Sequence, residues 1–521
     1  MGGTQILQPE VTLSLTNADR AVSNTDQKVL IVGQMVAAGS AVDGELQSNL
    51  SSSGAPENAL FGEASQIAAM VRAFKSINPQ VQVDAIGIDD AAGTAGTKII
   101  TLVGGPATEA GTLVVVAGSE TLHRYEIAVA VDDSITDIGD AIEAAILADT
   151  KCPYTASNAV GVVTLTCDNL GTVGNDLGVE CTGTVAGLTS HDVTVGVTGA
   201  TDPTLTSVLD VATERYQGIV WPYSVNTALD TLLLWLDDRF NPTNAVMDGV
   251  AFTTLVDSYA NSLTSGNGEN SPSLVIFSDK LEAETNYQGP SQNEPTYSKS
   301  AMFAAIRSLR LTPDASISRY VTSSASLDQF GGPALATLPY FNTPIPQMPT
   351  IATGRGWTAL EVEALLAAGI SVIGVNATGS SALVGEVVTT YKTDTASNPD
   401  DTFRFLNYVD TSSGVREYYF NNYKSRFAQS RLTDGTVSRG RDMANDVIIR
   451  AYSEQLYKTL SGPNYVLVQS GEAAFVYYKE NLDLTLDLGL GKVTIVMFVP
   501  IVTQLRQIIA TIKIAFNTTE G

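Results

Sequence analysis

The sequence predicts a multidomain protein of α/β and β units. It has a central α/β domain, an inserted β-sandwich-like domain, and an α+β C-terminal domain that runs into a last strand. Three observations carry this. The first 90 residues read strand, loop, helix, strand, the order of a parallel sheet. Residues 93–203 change texture, holding 15 of the 44 glycines but three of the 29 Lys and Arg. The run after Pro500, IVTQLRQIIATIKIAF, alternates with period two.

Residues 1–26 form an N-terminal arm in which Val11, Leu13 and Leu15 alternate with Thr12 and Ser14, a short strand with Pro9 at its edge. The central domain takes residues 27–92 and 204–380. Its first strand is KVLIVG at 28–33, followed by a Gly/Ser-rich loop from Gly39 to Pro56. Ile67, Met70, Val71 and Phe74 give residues 59–76 helical spacing, and VQVDAIGI at 81–88 is the next strand. The inserted domain, 93–203, shows alternating runs at 98–103, 112–117, 125–131 and 160–167 and one helix near 134–148. Beyond it, helices are expected near 225–240 and 252–264, with QGIVWP, SLVIF, PALATLPYF and SVIGV as apolar segments. Asp279 to Tyr297 reads as a polar, mobile loop. The C-terminal domain spans 381–500 and a C-terminal arm spans 501–521. In the arm Ile508, Ala510, Ile512, Ile514 and Phe516 share one face, and Ile509, Thr511, Lys513 and Ala515 the other. Such a strand either closes the chain's own sheet or is donated to a neighbouring sheet by β-augmentation.

Composition narrows the chemistry. The net charge of −26 is uneven: residues 401–521 hold 13 Lys plus Arg against 12 Asp plus Glu, and residues 1–400 hold 16 against 43. Such acidity argues against nucleic acid as a partner, because phosphate binding needs clustered cations. No apolar run reaches the ~18 residues of a membrane span, so no membrane insertion is expected, and the start, MGGTQILQPEVTLSL, does not read as a secretory signal. Cys152, Cys167 and Cys181 fit no zinc spacing and are expected as free thiols. The two histidines, His123 and His191, both lie in the insert, and no G-x-S-x-G is present, so no catalytic triad is assigned. Gly489-Leu490-Gly491-Lys492 fails as a phosphate loop because Leu486 stands where the first glycine belongs; it reads as a turn between strands. The pairs Asp89-Asp90 and Asp132-Asp133 read as solvated loop charges. No catalytic, cofactor or metal residue is assigned, and no cofactor is expected.

The order of C-terminal segments carries a resemblance. LVGEVVTTYKTD, with a strand expected to end at TTY, leads to a helix bearing YVDT and KSRF. A DG turn at Asp434-Gly435, a second helix, and ENLDLTLDLGLGKVTIVMFVP follow. Upstream, GTLVVVAGSE, CPYTASNAVGVVTLTCDNLGTVGNDLGVE and RYQGIVWPYSVNTALDTLLLWLDDRF fall in the same order. This resembles contractile tail sheath proteins, most closely the sheath of Mu-type phages. The resemblance implies a subtilisin-like topology in the central domain and a C-terminal domain ending in donated strands. It implies a structural subunit and not an enzyme. The expected partners are further copies in a six-fold helical sheath, the tail tube protein, and the baseplate and tail terminator proteins. The expected location is the virion, after assembly in the host bacterial cytoplasm. The alternatives are a non-contractile β-rich surface or structural polymer and an α/β hydrolase.

On this reading Val11, Leu13, Leu15, Ile508, Ala510, Ile512, Ile514 and Phe516 are intersubunit residues. Tyr419, Tyr423 and Phe427 stand at i, i+4 and i+8, a helix packing stripe, and Arg416, Lys424, Arg426 and Arg431 beside it are candidate contacts to a tube or a neighbour. Arg215 and Lys280, in the acidic central domain, are expected to matter much less. The acidic insert is expected on the outer surface.

Overall fold

The computed structural model describes residues 27–50, 55–240, 248–311, 340–352, 354–375, 382–436, 443–462 and 467–503. The arm residues Val11, Leu13, Leu15, Ile508, Ala510, Ile512, Ile514 and Phe516 lie outside them, as does most of PALATLPYF.

The centre is a mixed sheet with helices on both faces. Its strands are β1 (Lys28–Gln34), β2 (Leu46–Gln47) and β3 (Gln82–Ile88), joined through helices α1 (Pro56–Phe61) and α2 (Gln66–Ile77). The expected single helix over 59–76 is broken at Gly62 (φ 83°), and Ser65 restarts it by accepting from Ala68 N–H. In the insert come β4 (Thr97–Gly104), β5 (Gly111–Ala117), β6 (Arg124–Val129), α3 (Ile135–Leu147), β7 (Tyr154–Ala159), β8 (Val162–Cys167), β9 (Val179–Thr184) and β10 (Leu188–Val195). The centre resumes with β11 (Gly218–Val220), α4 (Asn226–Phe240), β12 (Val250–Asp257), α5 (Tyr259–Gly268), β13 (Leu274–Glu284), β14 (Tyr287–Pro290), α6 (Thr296–Leu311), α7 (Ala359–Ala367), β15 (Ile370–Val375) and β16 (Ala382–Val384).

The parallel strands lie in the order β3-β1-β11-β12-β13-β15, with β2 and β16 antiparallel at the two margins. Burial on both faces explains the unbroken apolar runs. Val29 and Ile31 of β1 join one core with Ile67, Met70 and Phe74 of α2, while Leu30 and Val32 join another with Leu229, Leu232 and Leu236 of α4.

Three expectations fail here. The first half of 252–264 is a strand, because Val250–Val256 is buried throughout the central sheet; only after Ser258, which accepts from Asn261 N–H, does a helix begin. Asp279–Tyr297 is not a mobile loop. It is ordered by pairing and burial: β13 runs on to Glu284 and turns into β14, and Ser291–Tyr297 is buried, with Lys299 paired to Asp279. No strand ends at the TTY segment; β16 stops at Val384, and Thr389 and Thr390 are buried and bonded to Arg404 and Leu274 main chain.

The insert does not hang from a linker. The long β13 leaves the parallel sheet and pairs with β14, β14 pairs with β9, β9 with β5 and β5 with β6, so one 12-stranded sheet runs through both regions. A second sheet, β10-β4-β8-β7, packs against this extension, with α3 beside β7 and β6.

The C-terminal region contains α8 (Leu406–Phe427), β17 (Arg431–Leu432), β18 (Met443–Ala444), α9 (Asp446–Leu460), α10 (Glu472–Glu480), β19 (Asp483–Asp487) and β20 (Lys492–Val496). Its core gathers Val415 and Tyr419 of α8, Leu456, Tyr457 and Leu460 of α9, and Tyr478 of α10. Among the described residues no helix is long and apolar enough to cross a membrane.

Candidate functional site: a filled crevice and an open-edged hairpin

In a parallel sheet of this order, the strand neighbours reverse direction on either side of β1. Ligands of such folds bind in the crevice beyond the carboxyl ends of the strands at that point. Here the insert fills it. Gln34, the last residue of β1, donates from Nε2 to Asp90 Oδ1 (2.7 Å) and Leu170 O (2.9 Å). Asn169 Oδ1 accepts from Gln66 N–H (2.9 Å) at the start of α2, and its Nδ2 donates to Met35 O (3.1 Å) and Asp90 Oδ1 (3.0 Å). Leu170 N–H donates to Asp90 Oδ2 (3.0 Å). The anion-binding end of α2 is therefore occupied by a side chain of the chain itself. What remains is a cavity of about 30 Å³ beside Gln66, Thr172, Asp176, Asp202, Tyr223 and Tyr297. Small-molecule pockets are roughly 300–1,000 Å³. Asp90 is thus a structural acceptor, which corrects its reading as a solvated charge; Asp89 is exposed.

The other chemically suggestive residues are held structurally. His123 is buried, and its Nδ1 lies 2.8 Å from Asp149 Oδ2, which also accepts from Tyr125 O–H at 3.0 Å. All three cysteines are buried and free. Burial pushes the Cys152 thiol up to about 11 and those of Cys167 and Cys181 up to about 12, far from a reactive thiolate. Among the described residues no group of three or more His, Cys, Asp or Glu could hold a metal ion.

Of the C-terminal candidates, Arg431 opens β17, and Arg416, Lys424 and Arg426 sit on the helix before it, α8, which joins two cores. Its first half is anchored in the centre: Asp410 meets Arg307 and accepts from Tyr340 O–H (2.5 Å), and Glu417 meets Arg215 at 2.8 Å. Arg416 lies here too, with Nη2 2.7 Å from Asp248 Oδ1, so it is engaged within the chain. Burial works to raise the Asp248 pKa, but the Arg215 and Arg416 guanidiniums outweigh it and hold the carboxyl below its ordinary value. The second half of α8 carries the expected stripe, with ring centroids 5.8 Å apart for Tyr419–Tyr423 and 6.3 Å for Tyr423–Phe427. Lys424, Arg426 and Arg431 are exposed. Lys424 Nζ lies 5.8 Å from the Phe420 ring and the Arg426 guanidinium 5.7 Å from that of Phe427.

β19 and β20 form a hairpin by themselves. Leu484 pairs with Ile495 on the face toward the C-terminal core, and Thr485 pairs with Thr494 on the exposed face. The Gly489–Lys492 segment is the turn expected between them, with Gly491 at φ 62° and Leu490 N–H bound to Asp487 Oδ1. Among the described residues no strand pairs with the outer edge of either strand. Apolar side chains are exposed at its turn and at the end of β20: Leu490 (79%), Val496 (48%) and Phe498 (53%). Past β20 the chain is pinned antiparallel to 467–469, through Gln469 N–H to Pro500 O (2.9 Å) and Val502 N–H to Leu467 O (2.9 Å).

A doubly wound centre with a filled crevice and an open-edged hairpin suits a protein that assembles, and tail sheath proteins are the class to which the chain is similar. In particular, it is 26% identical over 431 residues to the Mu-like prophage FluMu tail sheath protein of Haemophilus influenzae, covering 81% of this chain and 80% of that one. The resemblance to Mu-type tail sheath proteins expected from the sequence is borne out over that span. No family model matches the sequence. Among solved structures, a sheath tail protein from Desulfitobacterium hafniense aligns with a TM-score of 0.44 at 10% identity, over 96% of this chain and 100% of that chain. One from Listeria innocua gives 0.46 at 12%, over 93% and 94%. The anti-feeding prophage baseplate gives 0.37 at 11%, over 61% and 76%.

Proposed function

We propose that this chain is a structural subunit of a contractile phage tail sheath, a virion component without enzymatic activity. The observation that carries the reading is the similarity to a tail sheath protein along four fifths of the chain. In this function copies polymerise as six-fold rings around the tail tube protein, between baseplate and terminator, in the host cytoplasm. Contraction then drives the tube through the host envelope. The filled crevice supports a mechanism that uses no nucleotide.

The hairpin β19–β20 is the proposed acceptor for strands donated by neighbours. A two-stranded hairpin is marginal alone, and its edges offer main-chain groups to an incoming strand. Residues 1–26 and 501–521 supply the strands, through Val11, Leu13, Leu15 and the face of Ile508, Ala510, Ile512, Ile514 and Phe516. Lys424, Arg426 and Arg431 make the charged contacts, and the insert 93–203 faces outward. Electron microscopy of the purified chain tests this. The full chain should form hollow tubes, and a chain lacking residues 504–521 should remain folded and fail to form them. Normal tubes from the shortened chain would overturn the strand-donation scheme.

A further inference from the structure

The turn between β7 and β8 carries a residue that the local fold does not explain. Ala159 pairs with Val162, so Val160 and Gly161 make a two-residue hairpin turn, and both have positive φ, 54° and 78°. That is the type I′ geometry, which Asn-Gly or Asp-Gly normally fills. Gly161 suits it, since a side chain there would begin 2.9 Å from Ile135 Cβ. Valine does not. A β-branched residue in the left-handed region is strained. Val160 is also 73% exposed, so packing within the chain does not offset the cost.

The turn borders an exposed sheet face. In the sheet β10-β4-β8-β7, Ile100 and Val163 point into the core. Thr101 and Val103 of β4, Val162 and Thr164 of β8, and Ser157 and Ala159 of β7 point the other way. Val103 and Val162 are 44% and 37% exposed, and with Val160 they make one end of this face apolar. Among the described residues its one formal charge is Asp192, on the edge strand β10 opposite Thr101.

The insert as a whole is very different, with 14 Asp and Glu against three Lys and Arg. A basic partner would be drawn to those carboxylates and not to this face. A second copy is as acidic as the first, and two like-charged surfaces close most readily where both lack charge. Small side chains also suit sheet-on-sheet packing at about 10 Å. We propose that this face and the Val160 turn dock on the same face of a second copy. The contact is two-fold and self-complementary, and it gives Val160 the apolar cover it lacks in the monomer. It goes beyond the sheath reading and does not depend on it, because it uses only the surface of one chain.

Cross-linking of the full chain with a short bis-maleimide tests this. The three native cysteines are buried, so an introduced surface thiol reacts first. Val162→Cys should link two copies, and Thr112→Cys, exposed on β5, should not. Added to Val162→Cys, Val160→Asn should raise the Tm by relieving the turn. The same change should raise the concentration needed for linking about tenfold, the contribution of one buried aliphatic side chain. Salt should favour linking, because it screens the repulsion between acidic inserts; a contact made through Lys424, Arg426 and Arg431 would weaken instead. Equal linking at both positions, linking indifferent to Val160→Asn, or linking that fades with salt would overturn the proposal. Tubes formed without any Val162→Cys linkage would overturn it too, and would leave the sheath reading intact.

Discussion

Arg307 grips Asp410 with two nitrogens, Nε at 3.0 Å and Nη2 at 2.7 Å, across 103 residues of sequence and with both side chains buried. Burial alone would lower the Arg307 pKa, and the Asp410 carboxylate more than offsets this. The pair fastens α8 to α6, and hence the C-terminal region to the central sheet. Removing one member leaves an uncompensated buried charge. Arg307→Ala should cost about 3–5 kcal/mol, read as a lowered Tm with early proteolysis in α8. Replacing both, Arg307→Met with Asp410→Leu, should recover part of the loss.

Acid should loosen the same junction. Asp248 has its pKa lowered in the folded chain, so its stabilising contribution is complete above the ordinary carboxylate value of about 3.9 and is lost as pH falls through the lower folded value. His123 acts earlier. Burial lowers its pKa against the opposing pull of Asp149, so the penalty for protonation sets in as pH falls below about 6.5 and levels off below the folded value. Each contribution is read by difference, because the carboxyls of Asp168 and Asp176, pushed up by burial to about 6 and about 7, gain stability as pH falls through the same range. Relative to His123→Gln the native chain should lose Tm as pH falls below about 6.5, and relative to Asp248→Asn it should lose Tm below about 3.9.

The plug is testable by a single residue. Asn169→Ala would orphan the Gln66 N–H at the start of α2 and free part of Asp90. The expected cost is about 1–3 kcal/mol, with faster amide exchange confined to the first turn of α2. Asn169→Asp keeps an acceptor but sets a second carboxylate beside Asp90, and should cost more.

Charge reversal separates surface from scaffold. Arg426→Glu with Arg431→Glu changes exposed groups, whose pairs are worth about 0–1 kcal/mol, so the monomer Tm should hold while sedimentation shows assembly lost. Arg215 is not the neutral control its place in an acidic region suggests. It bridges Asp248 (3.2 Å) and Glu417 (2.8 Å) and is only 13% exposed. Arg215→Glu should destabilise the monomer itself by roughly 2–4 kcal/mol, less than a fully buried break. Arg124, exposed on β6, is the better control.

What the sequence made legible was whatever repeats locally. KVLIVG and VQVDAIGI announce buried strands, Tyr419-Tyr423-Phe427 a helix stripe, and Gly489-Leu490-Gly491-Lys492 a turn between strands. What stayed hidden was pairing over distance. Gln34, Asp90 and Asn169 look like surface polar residues until a contact 103 residues away joins Asn169 to Gln66. Asp279–Tyr297 looked mobile for the same reason, since Asp279 is held by Lys299, Ser291 and Gln292, partners the local pattern cannot reveal. The exposed basic side chains were legible as charges, but Arg416 and Arg215 could be sorted from Arg426 only by burial.

The strand β13 belongs to two neighbourhoods at once, parallel to β12 and β15 along its first half and antiparallel to β14 beyond Leu281. Push on the insert and the load path runs along this one backbone, stiffened where Arg355 clamps Glu180 to Glu284 and lies 3.8 Å over the Tyr287 ring. Hinges need a stretch of chain whose bonds are few and local, and none of that kind separates the two regions along β13–β14–β9. The molecule therefore carries the insert as a girder carries a bracket.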